Sequence, residues 1–365
     1  MADSVVVSGL QVDQWSKKLR FEYVRDMQLR RLMGTTPNAP IQMITELQNS
    51  AGDDITVPLV TRLKGAGQTG DNTLEGNEEA LGNYSHKITI DQIRHAVRVG
   101  HMEQKKTFFD MLDAAKPMLK KWAMAKMRDQ ILEAAQVANV DGSTAYGSCT
   151  EANKDAWLDA NVDRILFGAA KANTLTTAPA GGATYDHSAS LAAVDSATDI
   201  LTPSIISLAK RMAKIHSATY RHITPTEVGD QGEWYVWLAP SYCFRDLKNH
   251  ATMVAAHTSA MERGKNNPLF TDGDLIWDGV IIKEIPEIVP ITGVGAAAID
   301  VGANFMLGAQ AIGVAVGEEL HVITNSRDYN NLEGTGVAEI RGIDKLMWNS
   351  IQNMVTVYCA AVADT

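Results

Sequence analysis

Cysteine is scarce in this 365-residue chain, and the three present, Cys149, Cys243 and Cys359, lie far apart. That pattern excludes a disulfide framework and suggests reduced thiols in a protein made in a cytosol. No run of 18 or more apolar residues occurs, so no membrane-spanning helix is expected. The opening "MADSVVVSGL" has neither a basic start nor a long apolar stretch, and does not read as a secretory signal. Basic charge is in deficit: 33 Lys and Arg stand against 43 Asp and Glu, a net charge of −10. A general nucleic-acid binder would carry the opposite excess.

Catalytic patterns are missing as well. There is no HExxH, no G-x-S-x-G, and no histidine spaced with cysteine for a metal. His95 with His101, and His216 with His222, read as single structural histidines. Asp272, Asp274 and Asp278 lack the glycine and glutamate of a calcium loop, so "FTDGD" reads as a turn. Ser207 and Lys210 match S-x-x-K without its companion motifs. No catalytic, metal or cofactor site is expected.

What the chain does have is a glycine-rich stretch, "LKGAGQTGDNTLEG", at residues 63–76. Gly65, Gly67 and Gly70 fit G-x-G-x-x-G, with the strand-like "DITVPLVTR" before them and Asp91 after, which resembles a dinucleotide fingerprint. The context argues against it. A pyrophosphate site needs a helix N-terminus at the third glycine, and here polar residues without helical period follow. Asp71, Glu75, Glu78 and Glu79 would also repel phosphates, and Asp71 occupies the place of a Walker lysine. An oxidoreductase using Gly65–Gly70 is therefore the weakest alternative. The charges are also segregated. Residues 14–31 hold six bases, including Lys17, Lys18 and Arg20, against two acids, whereas 71–79 hold four acids and no base. Two solvated surfaces would account for this; a sharper expectation is that they meet across subunits.

Along the chain, Trp15, Leu19, Tyr23 and Met27 predict an amphipathic helix over 11–33, ended by Gly34. Ile55, Val57, Leu59 and Leu63 predict a strand over 54–64, and 85–99 its returning partner. The apolar phase changes between Ile88–Ile90 and Ile93–Val99, which predicts a bulge or twist near Asp91. Residues 53–100 thus read as a long hairpin with a glycine-rich tip. The strongest helical signal covers 102–138, with Phe108, Leu112, Ala115, Leu119 and Trp122 on one stripe. Pro117 predicts either a kink or a short helix ahead of a long one starting near it. Residues 139–200 read as irregular surface with one helix around "VDRILFGAAK". Thr202-Pro203 starts a helix, "EWYVWLA" is a buried strand, and "YCFRDLKNH" is a helix. "GVIIKEI", "NFMLGAQAIGVAVG", "GVAEIRGI" and "NMVTVYC" complete a mixed α+β pattern without internal repeats.

Several stretches carry a resemblance. "VPLVTRLKGAGQTGDNTLEGNEEAL", "FFDMLDAAKPMLKKWAMAKMRDQILEA", "VDRILFGAAKAN", "YVWLAPSYCFRDLKN", "NPLFTDGDLIWDGVIIKE", "FMLGAQA" and "DYNNLEGTGVAEIRGIDKLMW" stand in the order found in major capsid proteins of tailed bacteriophages. The chain resembles the N-four-like branch of that family, which has the Hong Kong 97 type fold. The resemblance implies an α+β fold with an N-terminal arm (1–46), an extended loop (47–100), a peripheral domain with a long spine helix (101–140 and 335–365) and an axial domain (141–334). It implies a virion protein, assembled in the host bacterial cytoplasm as hexamers and pentamers of an icosahedral shell around double-stranded DNA. No sequence-specific DNA binding and no membrane are expected. Because the arm begins close to Met1, the scaffolding protein is expected to be separate; a portal and, as an option, a decoration protein complete the partners. Cross-linking chemistry known in some relatives is not carried over to Lys64. The expected intersubunit contact joins Gly65, Gly67, Gly70, Asp71, Glu75, Glu78 and Glu79 of one copy to Lys17, Lys18 and Arg20, or to the helix face with Lys116, Lys120 and Lys121, of a neighbour. A cellular nanocompartment shell of the same fold remains the alternative.

Overall fold

The computed structural model of the chain describes residues 28–48, 52–63, 65–107, 109–170, 176–177, 183–217, 219–227, 233–259 and 275–363. A 3-10 turn (Gln28–Leu32) leads into β1 (Met33–Gly34) and β2 (Ile41–Ile44). The strands β3 (Asp54–Val60) and β4 (Asn83–Thr89) are followed after one residue by β5 (Asp91–Gly100). Helices α1 (His101–Lys106), α2 (Met111–Gln136) and α3 (Glu151–Ala160) come next, then β6 (Ile165–Phe167), α4 (His187–Ala192) and α5 (Pro203–Ala213). The chain continues through β7 (Glu233–Ala239), α6 (Ser241–Asn249), α7 (Ala251–Ser259), β8 (Leu275–Trp277) and β9 (Val280–Glu284). It closes with β10 (Val301–Leu307), β11 (Ile312–Arg327), β12 (Leu332–Lys345) and β13 (Met354–Ala360). This is the mixed α+β pattern expected.

Two compact units form. One contains Ile93–Lys126 and Leu320–Ala338; the other contains Gln28–Gln92, Met127–Glu319 and Glu339–Thr365. In the larger unit the sheet order is β8-β9-β7-β10-β13-β6, with Thr226–Glu227 pairing β7. Every residue of β10 and β13 is buried, which is why both read as dense apolar runs rather than alternating ones. Ile205, Ile206, Ala209 and Met212 of α5 and Phe244 and Leu247 of α6 join Tyr235, Trp237, Ile282, Val355 and Val357 in one core. Each buried Val, Leu, Ile, Met or Phe among them contributes about 1.5–3 kcal/mol on leaving water. Pro203 sets the first turn of α5 without help, since the Thr202 side chain makes no capping bond.

In the smaller unit, α2 covers part of a sheet. Leu119 and Ala123 are buried, and Trp122 lies against His95 with ring centroids 4.5 Å apart. Asp110 decides where α2 begins: its Oδ1 accepts the backbone N–H groups of Leu112 (2.9 Å) and Asp113 (3.1 Å). Gln104 spans the break after α1, accepting from the Met111 N–H at 3.2 Å.

Three expectations need correction. The short helix does precede a long one, but the long one starts at Met111, and Pro117 lies inside it. Asp110 caps the helix ahead of the proline, and Pro117 leaves one backbone hydrogen bond unmade within it. "VDRILFGAAK" yields the strand β6, parallel to β13, and not a helix; its short apolar run fits a buried strand equally well. The neighbouring helix is α3, capped by Thr150, whose side chain accepts from Asn153 N–H. Gly34 does not cap a helix; it belongs to β1 and pairs with Gln42 of β2. The rest of the predicted helix at 11–33, up to residue 27, lies outside the described residues, as do Asp272 and Asp274 of "FTDGD". The expected irregularity near Asp91 is present as a strand break at Ile90. There the chain leaves the β3–β4 pair and enters the sheet ordered β1-β2-β11-β12-β5.

Candidate assembly surfaces

The hairpin has a root that is built in and a tip that is not. At the root, β3 and β4 pair antiparallel from Asp54↔Thr89 to Val60↔Asn83. Ile88 is fully buried against Ala315, Leu346 and Trp348, with Ile55, Val57 and Leu59 packed alongside. The Trp348 indole N–H donates to the Val57 carbonyl at 3.2 Å. Lys87 pairs with Asp54 across the ladder. Gly342 is required here, because a Cβ at that position would lie 2.1 Å from the Thr89 carbonyl oxygen.

Beyond Val60 the ladder ends. Thr61 N–H and its hydroxyl both donate to the Gly82 carbonyl, at 2.9 and 3.0 Å. All described residues from 65 to 82 are exposed. Gly67, Gly70 and Gly76 have φ of +72°, +69° and +86°, values favouring glycine, and an added Cβ at any of them would meet nothing within 4 Å. The glycines therefore serve turns in open solvent. The stretch after Gly70 contains no helix before β4, so the pyrophosphate cradle lacks its essential part.

The four loop carboxylates differ in use. Glu79 accepts from Gly65 N–H at 2.6 Å and Glu78 from Gly76 N–H at 2.8 Å, which folds the loop on itself. Asp71 and Glu75 make no such bond among the described residues. Lys116 is paired to Asp113 at 2.8 Å on α2, whereas Lys120 and Lys121 make no ion pair among the described residues. Lys17, Lys18, Arg20 and Lys64, and with them the arm side of the expected contact, lie outside the described residues. Leu63, Leu74 and Leu81 are each about 60% exposed (60%, 62% and 61%).

The sequence reading missed a buried polar network in the larger unit. Lys345, with no exposed surface, donates to the Val137 carbonyl at 2.6 Å and to Gln352 Oε1 at 3.3 Å, and lies over the Trp157 ring. It thereby supplies a cation at the C-terminal end of α2, where carbonyls are left unpaired. Burial holds its pKa down to about 7. Asn161 binds the Gln352 N–H (2.8 Å) and the Ser350 carbonyl (3.0 Å), and Arg164 donates to the Met212 and Ala213 carbonyls. Next to Lys345, burial pushes the Asp344 carboxyl up to about 7, with Asp141 adding to the shift. His187 is enclosed by Tyr146, Trp157, Phe167 and Tyr358, and burial lowers its pKa to about 3. These groups face protein and serve packing. Among the described residues no cluster of three His, Cys, Asp or Glu could hold a metal.

The profile of the phage capsid protein family matches residues 4–362. The chain belongs to that family. A major capsid protein from Pseudomonas phage KPP25 is 28% identical over 368 residues, covering 91% of this chain and 90% of that one. Among solved structures, the Cyanophage Pam1 capsid subunit aligns over 100% of both chains with a TM-score of 0.89 and 31% identity. The capsid of Ralstonia phage GP4 also aligns over 100% of both chains, with a TM-score of 0.74 and 20% identity. The capsid protein has the Hong Kong 97 type fold of these relatives, and it is a phage major capsid protein, a component of the virion.

Proposed function

We propose that this capsid protein assembles as hexamers and pentamers into an icosahedral shell around double-stranded DNA, and that it catalyses no reaction. Assembly takes place in the host bacterial cytoplasm, with a separate scaffolding protein, a portal and, as an option, a decoration protein. The arm (1–46), extended loop (47–100), peripheral domain (101–140 and 335–365) and axial domain (141–334) divide the labour, and the loop makes contact with a neighbouring copy. A net charge of −10 supports a wall that does not grip packaged DNA, since each phosphate contact would add affinity through counterion release.

The observation behind this is the hairpin itself: a root held by a buried isoleucine and a tip that exposes three leucines and packs on none of the described residues. Removing residues 65–82 and closing the gap with a short turn tests it. The subunit should keep its denaturation midpoint, because little burial is lost, while negative-stain microscopy should show no closed shells. Unfolding of the truncated subunit, or normal shells from it, would overturn the assignment.

A further inference from the structure

The smaller unit carries a trough on one face of its sheet, of about 450 Å³, between β5 and the Leu320–Arg327 part of β11. Its floor is β12, which lies between them in the sheet. A Cβ built on Gly336 would sit 2.9 Å from Ala96 Cβ, and one on Gly334 4.0 Å from Arg98 Cβ. Both glycines therefore share a face with Ala96 and Arg98, and the missing side chains recess the floor. Arg94 and Arg98 lie four residues apart on β5, so both point to that face, roughly 13 Å apart at about 3.3 Å per residue. Arg327 and Ile323 line the opposite side. None of the three arginines forms an ion pair or side-chain hydrogen bond among the described residues. Three uncompensated guanidinium groups in an acidic chain call for an anionic partner.

The chemistry of the trough narrows the choice. Ile323 is 43% exposed, and Leu332, on the same face of β12 as Gly334 and Gly336, also lines the trough. Apolar side chains between arginines suit a peptide with carboxylates around a leucine better than a sugar–phosphate backbone. The loop tip offers that peptide: Asp71 and Glu75 bond nothing among the described residues, and Leu74 is 62% exposed. We infer that the trough of one copy receives the Asp71–Leu81 segment of a second copy, with Asp71 and Glu75 on the arginines and Leu74 over Gly334 and Gly336. This rests on the loop being an intersubunit element, and it places the receiving surface on the strands, not on the lysine face of α2. Arginine suits the role because its planar donor fork holds a carboxylate in a fixed orientation, so the trough sets register as well as attraction.

Cysteines at L74C and A96C test the contact, since the native Cys149, Cys243 and Cys359 are all buried. Assembled particles treated with a mild oxidant should give a ladder of disulfide-linked oligomers on a non-reducing gel. The single variants and the unassembled double variant should give none. Particles without a ladder, or an internally linked monomer alone, would overturn the trough while leaving shell formation intact. Failure of the parent chain to form any particle would instead strike the proposed function. A maleimide probe on A96C particles that is blocked only when nucleic acid is present would assign the trough to nucleic acid and overturn the inference. Should the cysteine pair itself prevent assembly, a charge swap decides. R98E/R327E should lose particles, and D71K/E75K in the same chain should restore them. Normal particles from R98E/R327E, or a loss that the swap does not restore, would overturn the pairing.

Discussion

The root and the tip of one hairpin use similar residues to opposite ends. Leu59 at the root packs beside a fully buried Ile88, whereas Leu74 at the tip is 62% exposed. Apolar character alone therefore does not decide burial. At the root, β3 and β4 arrive as a paired ladder that satisfies its own backbone groups and offers a side to pack. At the tip, three glycines with positive φ and two carboxylates bound to backbone N–H groups fold the chain locally and leave its side chains outward. The root is stabilised within the subunit, and no described residue of the subunit buries the tip.

The largest break in that comparison should come at the root. Ile88→Ala should destabilise the unassembled subunit by about 2–5 kcal/mol, from lost transfer energy and the cavity left behind; a denaturant midpoint close to that of the parent would show that the root is not a core. A smaller effect is expected at Asp344. Its folded pKa is raised to about 7 from 3.8, so the folded state holds a proton that the unfolded chain has released between those values. Stability from this group is present at low pH and lost as pH rises through about 4 to 7. Asp344→Asn removes the loss. Its midpoint should improve relative to the parent between pH 5 and pH 8, by on the order of 2 kcal/mol at about 1.4 kcal/mol per pKa unit; a difference independent of pH would refute the assignment. The smallest effect on the fold belongs to Leu74→Ala, which should change subunit stability by less than about 0.5 kcal/mol. The same variant should lower the yield of particles counted by microscopy, and a full yield would remove Leu74 from the contact.

Much of this division was legible in the residues. Alternation at Ile55, Val57 and Leu59 gave the hairpin, and the shift of phase near Asp91 marked where the chain changes sheets. Thr202-Pro203 and "EWYVWLA" located α5 and β7. Other features depend on partners distant in sequence. Ile165–Phe167 could be helix or strand until β13 supplied a parallel neighbour. Glu78 and Glu79 looked like free charge because short-range bonds to Gly76 and Gly65 leave no sequence pattern. Lys345 carries no sequence signal of its own, and nothing nearby marks it as buried beneath Trp157. Arg94 and Arg98 had the spacing for one strand face, but only the sheet order reveals that Gly334 and Gly336 lie between them and β11.

Lys345 has a practical consequence of its own. A lysine held without exposed surface, with a pKa of about 7, is shielded from amine-acylating reagents by the protein and not by its charge. Its modification at neutral pH should therefore proceed only when the end of α2 separates from Gln352 and Trp157. Mass spectrometry of that one side chain would act as a clock for opening of the subunit interior, running against the background of surface lysines that are labelled at once.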